Sequence, residues 1–480
     1  MSPLLTEFPG RAEHAWTLTG RRASVSGANH DIADVEIDGR LVAREMHLAV
    51  NGATPETVAV KVAPDEIVRV LQAGELQLTE RITTALEHPL VFWSLVADGP
   101  ADLRLAWHPV IGRRQEEQGS LAALGMTESM PGTIVLSGQD GSEPVAVVAA
   151  AGAVRVDGNR VMVEGDRILR VVLAAGPEAH DLDRALDALR RRKLRAFRQD
   201  RILHARRLEE RLVSLESPDP VLDRRFGWAK VELDARLEER PGRGRCMSRE
   251  TARTGRALLA AGDREVVRDL VRSLTLEDEL DPALPALAAA WLRWTGDLDA
   301  VSRSWERLAD VVEAMPDRVA TAVRDGLSAG AHAAGEQAIA ARLEAVRVSG
   351  GEAPHPHIEL TGYGAEPAGL VSGIVETLWG VDPDLIRGEV RVVAGLPRGW
   401  SEMALRRLRV GPTFFDLRLR RRPERTVLAV RRVSGPPLRL KASLRDDAAR
   451  GPVTIDQVEL GGREATFLVE DVHEVAFHDG

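Results

Sequence analysis

The chain of 480 residues has one cysteine, one tyrosine and no long apolar run. Cys246 stands alone, so no intrachain disulfide can form, which fits a reducing compartment. No stretch reaches the ~18 consecutive apolar residues that mark a membrane-spanning helix. The first residues, Met-Ser-Pro-Leu-Leu-Thr-Glu-Phe-Pro-Gly, lack a basic segment followed by an apolar core. No signal peptide is read there, and a cytoplasmic protein is expected. Aromatic residues make up 4%: nine Trp, eight Phe and Tyr363. Sugar clefts use aromatic faces to cover the apolar side of a pyranose ring, and this chain has little material for one. An excess of basic charge is also missing. The 73 acidic and 64 basic side chains leave a net charge of -9, which argues against nucleic acid as a general partner.

What is present fits ordinary globular cores. Hydrophobic residues make up 44% and charged residues 29%, and the length allows about three domains of ~150 residues. Residues 1–179 read as strands. Val58–Val62, Ile67–Leu71, Leu90–Val96 and Leu103–Trp107 are short apolar runs. Asn51-Gly52, Asp98-Gly99-Pro100, Asp140-Gly141 and Asp157-Gly158 break them. Val154–Val163 has the pattern of a hairpin, and the whole stretch predicts a β-sandwich.

Residues 180–213 change period. Leu182, Leu186, Leu189, Leu194, Ile202, Leu203 and Leu208 predict an amphipathic linker helix or helix pair. Arg190, Arg191, Arg192, Lys193, Arg195, Arg198, Arg206 and Arg207 lie among them. A polyanion-binding face is one reading. A solvated helix whose arginines pair with Asp200, Glu209 and Glu210 is the preferred one.

Residues 214–385 read as helical. Asp219 or Ser217 can cap a first helix that starts at Pro220. Helical patterns follow at 221–238, 248–261, 264–274, 282–295, 298–314, 317–327, 331–346 and 367–379, punctuated by Gly262, Gly296, Gly326 and Gly330. Trp291, Trp294 and Trp305 are expected between helices. Residues 386–480 return to strands, with a period of two at 389–393, 414–420, 426–430, 438–442 and 465–469. The predicted fold is multidomain α and β. It has an N-terminal antiparallel β-sandwich, a linker helix, a shortened toroid-like helical domain and a C-terminal antiparallel β-sheet domain.

Four segments carry a family resemblance. Ser217-Pro-Asp-Pro220 with Val221–Lys230 looks like a first ring helix. Ser248-Arg249-Glu250-Thr251, ending in Leu258–Asp263, looks like a Gly-Arg-Asp-Thr segment and its helix. Trp291–Leu298 with Trp305 looks like a later hairpin. Gly364–Asp384 followed by Gly395-Leu-Pro-Arg-Gly-Trp400 looks like a last ring helix and the entry to a final sheet domain. In this order the chain resembles the six-hairpin glycosidases, and among them the bacterial glycogen-debranching and glucoamylase-like proteins. The resemblance implies a ring of twelve helices, but about eight are counted. Little chain remains between Leu274 and Asp281, after Met315, or from Val346 to Leu360 for the missing hairpins. Arg249-Glu250 stands where Arg-Asp is usual.

The resemblance implies Glu366 as the general base and Arg249, Glu250 and Tyr363 as substrate-binding residues. Inverting hydrolysis also needs a general acid, with the two carboxyls ~6.5–9.5 Å apart. No acid is found. Glu336-Gln337 lies in an Ala-rich helix and reads as an exposed carboxylate. Glu250 and Glu366 also have plain readings, as a first-turn carboxylate and a helix cap. His355, His357 and Glu359 have the spacing of a metal clip but read as a polar loop, so no metal is expected. Gly242-Arg-Gly-Arg245 is neither a phosphate loop nor a dinucleotide fingerprint, so no cofactor is expected. Cys246 reads as an inert thiol.

Two functions remain open. One is a catalytically degenerate relative that binds an α-glucan or oligosaccharide or assembles with a second copy, because an open ring exposes apolar helix faces. The other is an active inverting hydrolase of α-glucosidic bonds.

Overall fold

The structure is a computed structural model. It describes all residues except 1–5, 10–14, 29–30, 111–124, 131, 138–143, 177, 238–248, 274–282, 317–318, 347–365, 446–450, 461 and 479–480. The Asp140-Gly141 break lies outside the described residues. The chain forms two compact units, one from Met1 to Arg206 and one from Arg207 to Gly480 without 238–241.

The first unit holds a nine-stranded and a seven-stranded antiparallel sheet. Strands Ala23–Gly27 and Ile67–Ala73 alternate buried and partly exposed residues, so one face of each packs inward. Ala153–Asp157 pairs with Arg160–Asp166, with Asp157 opposite Arg160, as the hairpin pattern predicts. An ion pair is buried among the polar groups within the apolar core. Arg69 and Glu80 form an ion pair there, and Trp93 Nε1 donates to Glu80 at 2.6 Å. Burying a charge is costly unless it is paired and hydrogen-bonded, and Glu80 is both.

The linker is two helices, α1 (Ala179–Arg191) and α2 (Leu194–Arg211). Leu182, Ala185, Leu186 and Phe197 share a core with Phe92, Ala146 and Val172 of the sheet. The arginine partners differ in part from those expected. Arg192 pairs with Asp200 at 2.6 Å, but Arg198 pairs with Asp65 and Glu66 at 2.6 and 2.8 Å. Arg201 is almost fully buried. It donates to the carbonyls of Pro64 (2.8 Å) and Thr19 (3.0 Å) and to Thr84 Oγ1 (2.7 Å). Burial lowers its pKa to about 10.

In the second unit the described helices are α3 (Pro220–Leu237), α4 (Arg249–Ala261), α5 (Arg264–Arg272), α6 (Ala283–Thr295), α7 (Trp305–Ala314), α8 (Thr321–Ala334), α9 (Gln337–Ala345) and α10 (Pro367–Ser372). A π-helical turn, Gly373–Leu378, continues α10. Asp219 caps α3, accepting from the N–H groups of Val221 (2.9 Å) and Leu222 (3.2 Å). Ser217 bonds instead to Asp223, at 2.7 Å. The predicted break at Gly330 moves to Gly335, whose φ of 82° closes α8. Gly330 serves packing. A side chain there would come within 2.6 Å of Leu292 and 3.1 Å of Trp305. Trp291, Trp294 and Trp305 are all buried among the helices.

Four helices run side by side in one direction. Gly326 lies beside Ala289 and Gly330 beside Leu292, so α8 follows α6. The residues just past α4 and those ending α6 converge on one loop, where Arg264 Nη1 donates to the Gly411 carbonyl and the Gly411 N–H donates to the Trp294 carbonyl. Arg253–Glu366 and Arg256–Glu376 contacts lay α10 and its π turn along α4 in the same sense. The order across this layer is α10, α4, α6, α8, and among the described residues no comparable packing joins α8 to α10. No described helix is long and apolar enough to cross a membrane.

The carboxy-terminal sheets have seven and four strands. Each predicted strand is present, but the pairing is not wholly antiparallel. Glu389–Ala394 and Leu438–Leu444 pair in parallel. Parallel neighbours need a long crossover, supplied here by the strands Glu402–Val410, Thr413–Arg422 and Arg425–Ser434 of the other sheet. Ser214–Glu216 also pairs with Glu402–Val410, so the residues just before α3 belong to a carboxy-terminal sheet.

Candidate functional site

The last turn of α3 and the first turns of α4 and α10 meet at one end of the helical layer, away from the Gly411 loop. Here Arg236 Nη1 lies 3.5 Å from Glu250 Oε1 and 3.8 Å from Glu366 Oε1. Arg253 Nη2 lies 3.1 Å from Glu366 Oε2. Two of the sequence-predicted residues, Glu250 and Glu366, are therefore brought together through one guanidinium. Their oxygens can be no farther apart than about 7 Å, so spacing alone does not exclude a hydrolytic pair.

Hydrogen bonding sets their roles apart. Glu366 is the N-cap residue of α10, and Pro367 opens the helix with its φ already set. Glu366 Oε1 accepts from the Ala368 N–H at 3.1 Å, and Oε2 accepts from the Gly369 N–H at 3.1 Å. Arg253 adds an ion pair on Oε2. A carboxylate has about four lone-pair sites, so the two backbone bonds leave about two on Glu366, with Arg253 and Arg236 standing near them. Glu250 is the reverse case. Its side chain is 74% exposed, and its contact to Arg236 is long.

Sequence reasoning missed Glu232, Arg236 and Arg253. Glu232 and Arg236 are one turn apart on α3 and share a face. Glu232 is half-buried and raised in pKa, chiefly by burial, with Glu366 adding to the rise and Arg236 opposing it. The Glu-x-x-x-Arg spacing at 232–236 was the available signal, but it reads first as a surface ion pair. Further along the same wall, the π turn brings Glu376 to 3.8 Å from Arg256, and Arg293 pairs with Asp382. Arginines on α4 and α6 thus face carboxylates on and just beyond the α10 segment.

Other expected residues lie elsewhere. Arg249 opens α4, but its side chain is outside the described residues, as are Tyr363, Cys246, Gly242–Arg245, His355, His357 and Glu359. Glu336 is an exposed residue at the start of α9 and makes no side-chain cap bond. Among the described residues no group of three His, Cys, Asp or Glu side chains could hold a metal ion. Among the described residues the large apolar faces expected of an open ring are also not seen. Val221 is the one large apolar side chain exposed on the described helices from α3 onward.

A cluster of planar guanidiniums and carboxylates with nearly balanced charge suits a neutral, polyhydroxylated ligand, because each group can bond a pair of neighbouring hydroxyls.

No protein-family model matches the chain, and no curated protein matches it. Solved structures do. A kojibiose phosphorylase from the human microbiome, described as putative, superposes with a TM-score of 0.52 at 5% identity, over 99% of this chain and 92% of that one. A glycosyl hydrolase of family GH92 overlaps with a TM-score of 0.38 at 12% identity, over 68% of this chain and 60% of that one. An α-L-rhamnosidase from Dictyoglumus thermophilum overlaps with a TM-score of 0.35 at 9% identity, over 99% of this chain and 82% of that one. The first likeness shows a shared fold. The other two superpose too loosely to carry an argument.

Proposed function

We propose that this chain is a glycosidase-like protein that binds an oligosaccharide of the α-glucan type through a shortened helical ring and does not hydrolyse it. The observation that carries this reading is the occupancy of Glu366. A general base must take a proton from water in the transition state. Each Glu366 oxygen accepts from a backbone N–H at the start of α10, and Arg253 pairs with Oε2, so protonating this carboxylate would weaken the cap of α10. Losing general base catalysis typically removes ~10²–10⁴-fold in rate. The row of four parallel helices, without comparable packing between α8 and α10, supports the shortened ring. Such a ring lacks the dry walls that make catalytic groups effective.

The ligand would sit at the Arg236–Glu250–Arg253–Glu366 end, with Arg249 and Tyr363 as further contacts by the family resemblance. Titration calorimetry with maltooligosaccharides tests the binding. Saturable heat is expected from the wild-type protein, and binding ~10-fold weaker from Arg236→Ala. No binding by wild type would overturn the reading. The active-hydrolase alternative requires Glu366 to leave its cap when substrate binds.

A further inference from the structure

We infer that Glu232 is the proton-carrying carboxyl of this site and donates a hydrogen bond from its carboxylic O–H to the bound ligand. The inference rests on the binding reading above and assigns the site a residue that the family resemblance did not supply.

Three observations carry it. The first is partnership. Glu366 has two backbone hydrogen-bond donors and an ion pair with Arg253, and Glu250 has the Arg236 guanidinium, whereas Glu232 has no hydrogen bond or ion pair within 4 Å among the described residues. The second is placement. One turn of α3 puts Glu232 on the face that carries Arg236, so it looks onto the start of α10. The third is electrostatics. The charged groups facing this spot are Arg236 on α3, Glu250 and Arg253 on α4, and Glu366 on α10. Both guanidiniums are already engaged with the other two carboxylates. Burial of a carboxyl with no bonded cation then favours its neutral form. The direction of its pKa agrees: burial raises it, Arg236 opposes the rise, and Glu366 adds a smaller push upward.

The chemistry differs from that of an ionised carboxylate. A carboxylate only accepts, but a carboxylic acid also donates. A ligand hydroxyl or ring oxygen that needs a donor would find one at Glu232 and none at Glu366. Binding should therefore weaken as pH rises and Glu232 loses its proton.

The test measures maltooligosaccharide binding from pH ~4 to ~8, across and above the ordinary glutamate range. Wild-type affinity is expected to fall about tenfold over that span, the worth of one hydrogen bond. Glu232→Gln should keep the low-pH affinity at every pH, because its amide always donates. Glu232→Ala should bind weakly throughout. Wild-type binding that is flat with pH, or a pH dependence that survives in Glu232→Gln, would overturn the inference.

Infrared spectroscopy separates this outcome from failure of the binding reading. A protonated-carboxyl stretch that persists above the ordinary glutamate range in wild type, and is absent in Glu232→Gln, is expected whether or not sugar binds. Its midpoint should move down in Glu366→Gln and up in Arg236→Met. If that band is missing, Glu232 is an ordinary ionised glutamate and the inference fails, even if oligosaccharide binds.

Discussion

Lys230 and Glu232 stand two residues apart on α3 in opposite kinds of surroundings. Lys230 is almost fully buried. Its Nζ donates to the Val213 carbonyl at 2.6 Å and lies 5.3 Å from the centre of the Phe226 ring. Burial first, and Arg407 second, lower its pKa to about 8. Val213 in turn donates its N–H to the Ala261 carbonyl. This face of α3 is a joint, fastening the end of the linker to α4. The face that carries Glu232 holds charged side chains in long, partly exposed contacts. Burial pushes both residues toward neutrality. The lysine is fixed by a backbone carbonyl, while the glutamate has no fixed partner. A charged group pinned to the main chain reads as structure, and a half-buried one left unpinned reads as a place for a ligand.

Changing each face should separate them, and the joint should give the largest effect. The folded Lys230 pKa of about 8 lies below the ordinary lysine value of 10.5. Between those values the unfolded chain binds more protons, so stability rises with pH across that window. The rise is about 3 kcal/mol in order of magnitude. The chain has four lysines, Lys61, Lys193, Lys230 and Lys441, so the background is small. Urea unfolding from pH ~8 to ~10.5 should show a rise about 3 kcal/mol larger in wild type than in Lys230→Met, any part from Arg201, with its pKa of about 10, being common to both. An equal rise in both would place the titration elsewhere.

The ligand face should respond less. Glu366→Ala removes the α10 cap and should cost about 1–2 kcal/mol in the same assay. Arg253→Ala removes a half-exposed ion pair and should cost no more than ~1 kcal/mol. If Arg253→Ala proved as costly as Glu366→Ala, the cluster would be a structural lock like the joint.

Much of the fold was legible because its signals are local. The period of two marks the strands, and Asp219-Pro220 marks the start of α3. Long-range pairing left no such trace. Nothing near Ser214 announces a strand partner at Leu405, and nothing near Val390 announces a parallel one at Leu440. Arg201 resembles the solvated arginines around it, and only the carbonyls of Pro64 and Thr19 mark it as buried. Gly330 and Gly335 look alike in an Ala-rich stretch. Contact with Leu292 and Trp305 makes one a packing position, and a positive φ makes the other a stop.

The candidate site was half legible. Glu366-Pro367 could be read as a cap, and Glu250 as a first-turn carboxylate. Their meeting through Arg236 depends on how three helices pack, which no local pattern contains. Glu232 was hidden for the same reason. Its distinction is the lack of a partner among the described residues, and that appears only once its neighbours are placed.

The central claim is that Glu366 serves as a helix cap and leaves the bound glucan intact. The direct measurement is release of reducing ends from maltooligosaccharides by the wild-type protein and by Glu366→Gln. The account predicts no release above buffer from either protein at concentrations where calorimetry shows wild type saturated. Turnover by wild type that Glu366→Gln abolishes would contradict it.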